Sequence, residues 1–169
     1  HAYNYPGVFI DERKPTGNLA IYRRFLLYTR FYANHQPLLI CEGKTDNVYI
    51  SNAIHQRKTD FPLLIRKSED GKDVISFQFF KYARKHRRKS DIYLPNYSTA
   101  MILGNGSGGG PNLAGLMSAY RSELKKFVSP GGEFPVIFIV DSDSGGKPVF
   151  KAIETITKTK PSGIELLPP

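Results

Sequence analysis

The chain has 169 residues, 40% of them hydrophobic and 23% charged, enough for one domain with its own core and ordinary for a globular protein. Its 24 Lys and Arg against 15 Asp and Glu leave a net charge of +9, which favours a polyanionic partner such as nucleic acid. One cysteine, Cys41, excludes an internal disulfide and any cysteine-rich zinc site. No apolar run approaches the roughly 20 residues of a membrane span, and no basic segment followed by an apolar one opens the chain as a signal peptide. The expectation is no membrane association and a cytoplasmic, reducing location, with Cys41 a buried, inert thiol. A start at His1 rather than Met suggests a fragment or a processed chain.

Residues 1–17 carry Pro6, Gly7, Pro15 and Gly17 among polar residues and read as a linker or arm. Leu19 to Asn34 reads as a helix, with Ile21, Phe25, Tyr28 and Tyr32 recurring at helical spacing and Arg23, Arg24 and Arg30 elsewhere on its surface. That aromatic face is core, or a docking face for a domain outside this chain. Leu38 to Glu42 is a buried strand. Thr45-Asp46 forms a natural N-cap pair, and Asp46 to Gln56 follows as a helix with Tyr49, Ile50, Ala53 and Ile54 inward. Phe61 to Ile65 is a second apolar strand, and Lys67 to Asp73 a charged turn containing Gly71.

Val74 to Lys89 is expected to be a helix that begins apolar and ends basic. Six of the nine residues from Lys81 to Lys89 are Lys or Arg, a density that suits contact with a phosphate backbone, although cations also suit a helix C-terminus. Ser90 to Ser98 is a Pro/Tyr/Asn loop and Thr99 to Leu103 a short strand. A glycine run, Gly104 to Gly110, leads into a helix from Pro111 to Lys126 with Leu113, Leu116, Met117, Tyr120 and Leu124 on its apolar side. After a Pro130-Gly131-Gly132 turn come a strand from Pro135 to Val140, a helix from Val149 to Thr157, and a tail with at most one short strand. Strands alternating with helices predict an α/β fold with a mainly parallel sheet.

Two of these strands end in acids. The first runs into Glu42-Gly43-Lys44-Thr45-Asp46, the second into Asp141-Ser142-Asp143-Ser144-Gly145-Gly146. Open α/β sheets build their sites at such C-terminal strand edges, so the two ends are expected to meet. Familiar motifs fail on inspection. A P-loop needs glycine five residues before Gly43, where Leu38 stands. The glycine run lacks the acid that a dinucleotide fingerprint places at the end of a second strand. A calcium loop opening at Asp141 would need Glu where Ala152 stands. Phosphatases with an aspartyl nucleophile want Thr or Val where Gly145 stands.

The pair of motifs, in this order and on these elements, resembles the toprim domain shared by topoisomerases, bacterial primases, OLD-type nucleases and ribosomal-RNA maturases. Ile102-Leu103-Gly104, the glycine run and Asn112 resemble its middle strand and loop. The resemblance covers about residues 37–157 and implies a Rossmann-like toprim sheet over 37–169, with a basic insertion around 75–98. It implies Glu42 as the acid that assists proton transfer or binds metal. Asp141 and Asp143 would be catalytic ligands of Mg2+ (or Mn2+), and Asp46 a supporting ligand. Hard oxygen ligands suit magnesium, and such a metal activates water against a phosphodiester. Gly43 and Lys44 would meet phosphate, as would Arg84, Lys85, Arg87, Arg88 and Lys89.

An aromatic-basic helix directly before Leu-Leu-Ile-Cys-Glu-Gly-Lys-Thr-Asp also resembles the C-terminal part of certain retron reverse transcriptases. That implies residues 1–36 as the end of a polymerase region plus linker. It further implies a nuclease effector in antiphage defence, held in check by a reverse-transcriptase domain of the same full-length chain and its DNA–RNA product. No Tyr-x-Asp-Asp signature occurs here, so this chain does not itself copy nucleic acid. The alternative is a toprim that binds RNA or DNA, or assembles, without cutting it.

Overall fold

Leu38-Leu39-Ile40-Cys41 is apolar without alternation because the strand it forms is covered on both faces. In a computed structural model, which describes residues 17–82, 99–106 and 108–158, β1 (Leu38–Cys41) is buried at all four positions. It lies between two parallel neighbours, as such an unbroken run requires. β4 (Gln78–Phe79) pairs on one side, Leu38 opposite Gln78; β5 (Val136–Ile139) pairs on the other, from Leu38 opposite Val136 to Cys41 opposite Ile139. The sheet order is β4-β1-β5. A separate antiparallel hairpin joins β2 (Ile65–Lys67) to β3 (Asp73–Ile75). Among the described residues no helix is long and apolar enough to cross a membrane.

One face of the sheet carries the main core. Leu38, Ile40, Val136 and Phe138 meet helices α1 (Asn18–Leu27), α4 (Gly110–Leu124) and α5 (Lys147–Thr157). α4 contributes Leu113, Leu116 and Met117, all buried, with Tyr120 packed at the edge. α5 sets Val149, Ala152, Ile153 and Ile156 on the same side. Both helices follow the 3.6-residue period read from the sequence. α2 (Lys44–Gln56) packs against β1 outside this cluster.

Several expected elements are corrected. The helix read over Leu19–Asn34 is α1 followed by a π turn, Tyr28–Tyr32. Its buried residues are Leu26, Leu27 and Phe31, while Ile21 is 69% and Phe25 55% exposed. The first half of the aromatic stripe is therefore not core, whereas Tyr28 and Tyr32 are half-buried against Phe127. The inward stripe contains Arg23, whose guanidinium donates to the Leu103 carbonyl at 3.1 Å, and a charged residue on the buried side hides that side from a hydrophobicity pattern. On α2 only Ile54 is buried, and Tyr49 is 73% exposed.

Phe61–Ile65 is not a strand. Pro62–Leu64 forms a 3-10 turn and β2 begins at Ile65, in keeping with a proline that fixes φ and removes a donor. The helix read from Val74 is replaced by β3 and β4, consistent with the β-branched and aromatic content of Val74-Ile75 and Phe77-Gln78-Phe79. The strand read at Thr99–Leu103 is a single helical turn, α3 (Thr99–Ile102), so the segment that resembled a middle toprim strand is helical. The basic end of the 75–98 stretch from residue 83, the tail from 159 and the arm before Gly17 lie outside the described residues.

Candidate metal-binding carboxylate site

Glu42 leaves β1 at its C-terminal edge and Gly43 begins the turn into α2. Asp46 is not the N-cap expected from the sequence. Gly43 holds that place, and Asp46, at the third helical position, accepts the Gly43 N–H at 2.8 Å. This is one half of a capping box, glycine having no side chain to supply the other. Lys44 is exposed in the first turn.

The β5 end is built alike. After Val140 the chain runs through Asp141, Ser142, Asp143 and Ser144, all exposed, to Gly145 and Gly146 and then α5. Asp143 Oδ1 accepts the N–H groups of Gly145 at 2.8 Å and Gly146 at 3.3 Å, the local side-chain turn that Asp supplies before a helix.

Because β1 and β5 are hydrogen-bonded neighbours in register, their ends meet. A Cβ on Gly145 would stand 2.7 Å from Glu42 Oε1 and 3.1 Å from Asp143 Oδ1. Two carboxylates thus face one glycine that arrives on the second strand's loop. Glu42 Oε2 is buried and, among the described residues, accepts no hydrogen bond. A buried carboxylate oxygen without a donor, beside a second carboxylate, is electrostatically incomplete, and the missing partner that suits two hard oxygens is a cation. The pair fits a divalent metal in that respect. The larger set is not assembled. Among the described residues no three His, Cys, Asp or Glu side chains converge as a metal-binding group. Glu42 and Asp143 each approach the same point beside Gly145, Asp46 is engaged in capping, and Asp141 is exposed. Arg84, Lys85, Arg87, Arg88 and Lys89 lie outside the described residues.

The glycine run and Asn112, singled out from the sequence, and Tyr82 and Asn105, which were not, complete the surroundings. The glycine run wedges between the two strand ends: Gly109 N–H donates to the Glu42 carbonyl at 2.9 Å, and a Cβ on Gly108, at φ +79°, would lie 2.8 Å from that same oxygen. Asn112 secures the loop by donating to the Gly108 carbonyl at 3.0 Å. The Tyr82 hydroxyl donates to the Cys41 carbonyl, and burial pushes its pKa up. Asn105 is wholly buried; its amide interacts with the Tyr82 hydroxyl without meeting hydrogen-bond geometry. Glycine density was the signal for the loop; nothing local marked Tyr82 or Asn105. Cys41 is buried as expected, its thiol raised to about 11 by burial and then by the nearby Asp46 charge. No family model matches this chain, and no solved structure gives it a significant match.

Proposed function

We propose that this chain is a toprim-type nuclease that uses Mg2+ (or Mn2+) to cut RNA or DNA phosphodiesters. One observation carries the reading: Glu42 and Asp143, delivered from the ends of adjacent parallel strands, each bring a carboxylate oxygen close to one point beside Gly145, and one buried Glu42 oxygen has no donor among the described residues. Glu42 and Asp143 would hold the metal, with Asp141 and the remaining oxygen of Asp46 as supplementary ligands. When bound, the metal lowers the pKa of an attacking water and offsets charge on the phosphate. Glu42 holds or moves a proton at its carboxylate, and Lys44 offsets charge on a non-bridging oxygen. A net charge of +9 supports a polyanionic substrate.

In the same proposal the chain is the effector end of a retron reverse transcriptase acting in antiphage defence in the cytoplasm. The polymerase region and its DNA–RNA product would be its regulatory partners. Support for this narrower reading is the resemblance carried by the aromatic-basic helix that directly precedes Leu38–Asp46. A second reading, a binding or assembly module that does not cut, is favoured by the absence of a three-carboxylate group among the described residues.

Incubation of the chain with single-stranded RNA, transfer RNA and DNA, with Mg2+ or Mn2+ and with EDTA, separates the two. Metal-dependent cutting that Glu42→Ala and Asp143→Ala both abolish establishes the nuclease. Binding without cutting, unchanged by either substitution, establishes the module.

A further inference from the structure

Burial fades at β5. Leu39 and Cys41 of β1 are buried, yet their register partners Ile137 and Ile139 are 42% and 39% exposed. On the core face Leu38 and Ile40 are buried, while Val136 and Phe138 opposite them are only half-buried. α5 shows the same deficit, since it buries Val149 but leaves Phe150, Ile153 and Ile156 half-buried. One more strand beside β5 would cover both sheet faces and the flank of α5 together.

The backbone is open along the same line. Among the described residues β5 is an outer strand of its sheet. Leu38 gives its N–H to the Pro135 carbonyl, so strand alternation points the Val136 and Phe138 N–H groups away from β1. An apolar edge of this kind is a template for a further strand. Topology directs the chain toward it. The connection through α4 runs from β4 past β1 to β5, and α5 packs with α4 on that same face. Crossovers between parallel strands share one hand. A second crossover on that face therefore continues in the same direction, to the open edge of β5.

We infer that residues 164–167, Ile-Glu-Leu-Leu, dock on this edge as a fourth strand parallel to β5. Residues 140–163 lie between the two, more than the roughly dozen residues that a parallel crossover needs. Six of them, 158–163, follow α5, within the ordinary length of a helix-to-strand loop. Pro168 and Pro169 stop the strand, because proline gives a ladder no donor. Its four residues match the four of β5. Alternation sets Ile164 and Leu166 beneath α5, and Glu165 and Leu167 on the more open face of Ile137 and Ile139. The strand that delivers Asp143 would then be held from both sides. Metal plays no part in this pairing, so the pairing and the nuclease reading fail separately.

The test is amide hydrogen exchange of the whole 169-residue chain, followed by NMR. In the wild type the Phe138 amide is expected to exchange slowly, as does the Ile139 amide, which faces β1 by the same alternation. Ile164→Asp and Leu166→Asp, which put a carboxylate under α5, should each speed exchange at Phe138 at least about tenfold and leave Ile139 unchanged, as when one edge opens without global unfolding. Nuclear Overhauser contacts between the Phe138 amide and the backbone of residues 164–167 read the pairing with no substitution, so the wild type alone decides if a variant fails to fold. Those contacts, with slow exchange at every protein concentration, support the assignment. Free exchange at Phe138, absence of the contacts, or protection that both folded variants keep overturns it. Protection that fades on dilution overturns it too, and identifies a second copy of the chain as the occupant of the edge.

Discussion

A Cβ added to Gly110 would stand 1.9 Å from the carbonyl oxygen of Gly145, so the first residue of α4 and the loop after β5 pack backbone to backbone. The contact ties the glycine run to the strand end that carries Asp143. Backbone cannot swing aside as a side chain can. Gly110→Ala is therefore expected to destabilise the fold by about 1–3 kcal/mol, the usual range for overpacking, or more, read as a lower midpoint in urea unfolding.

Gly145→Ala tests the other side of the same loop. Its methyl would lie 2.7 Å from Glu42 Oε1, the free end of a side chain that can rotate. The expected outcome is a folded protein with a displaced Glu42 carboxylate. Mn2+ affinity, followed by paramagnetic broadening at Gly43 and Gly145, should fall while the thermal midpoint changes little.

Asp143 and Asp141 should differ. Only Asp143 reaches the point shared with Glu42 and also holds the Gly145 and Gly146 N–H groups. Asp143→Asn should lower Mn2+ affinity more than Asp141→Asn, which a side-by-side titration of the two variants measures. Equal losses would place both acids on the ion.

Tyr82→Phe removes the hydroxyl that donates to the Cys41 carbonyl. The expected cost is about 1 kcal/mol, the net worth of a typical hydrogen bond. An ultraviolet titration should also lose one late-ionising tyrosine, since burial holds the Tyr82 phenol above its ordinary range.

Two of the shifted ionisations, one at each end of the pH range, give the pH response a clear sign. Hydrogen bonds from Lys58 and Lys67 hold the Asp73 carboxyl at about 2, below its ordinary 3.8. The unfolded chain takes up that proton first, so this contribution is present above about pH 4 and is lost as pH falls toward 2. Asp73 is solvated, so added salt should shrink the effect; the carboxyl carbon of Asp73, followed by NMR against pH and salt, reads both. At the alkaline end burial lifts Cys41 from 9.0 to about 11. Only the unfolded chain loses the thiol proton in that window, so stability declines as pH rises through it. In the folded chain Cys41 should resist alkylation near neutral pH and react once denaturant is added.

What the sequence determined by itself was whatever local energetics decide. Leu38–Cys41 announced a strand covered on both faces, Leu113 to Met117 and Val149 to Ile156 announced helices by their period, and the acids after each strand marked the sheet edge where a site would form. Tertiary structure decided which of two plausible stripes α1 buries, because an Arg23 satisfied by a distant carbonyl can sit on the inner side. It decided that Phe77 to Phe80 belong to the sheet's edge, since strand pairing with β1 supplies hydrogen bonds a local pattern cannot foresee. It also chose Glu42 and Asp143 as the acids that approach one point beside Gly145 and put Asp46 to capping. Spacing along a chain fixes which acids lie near a strand end; only the register between strands, and the glycines that let their loops touch, fixes which carboxylates share a point in space.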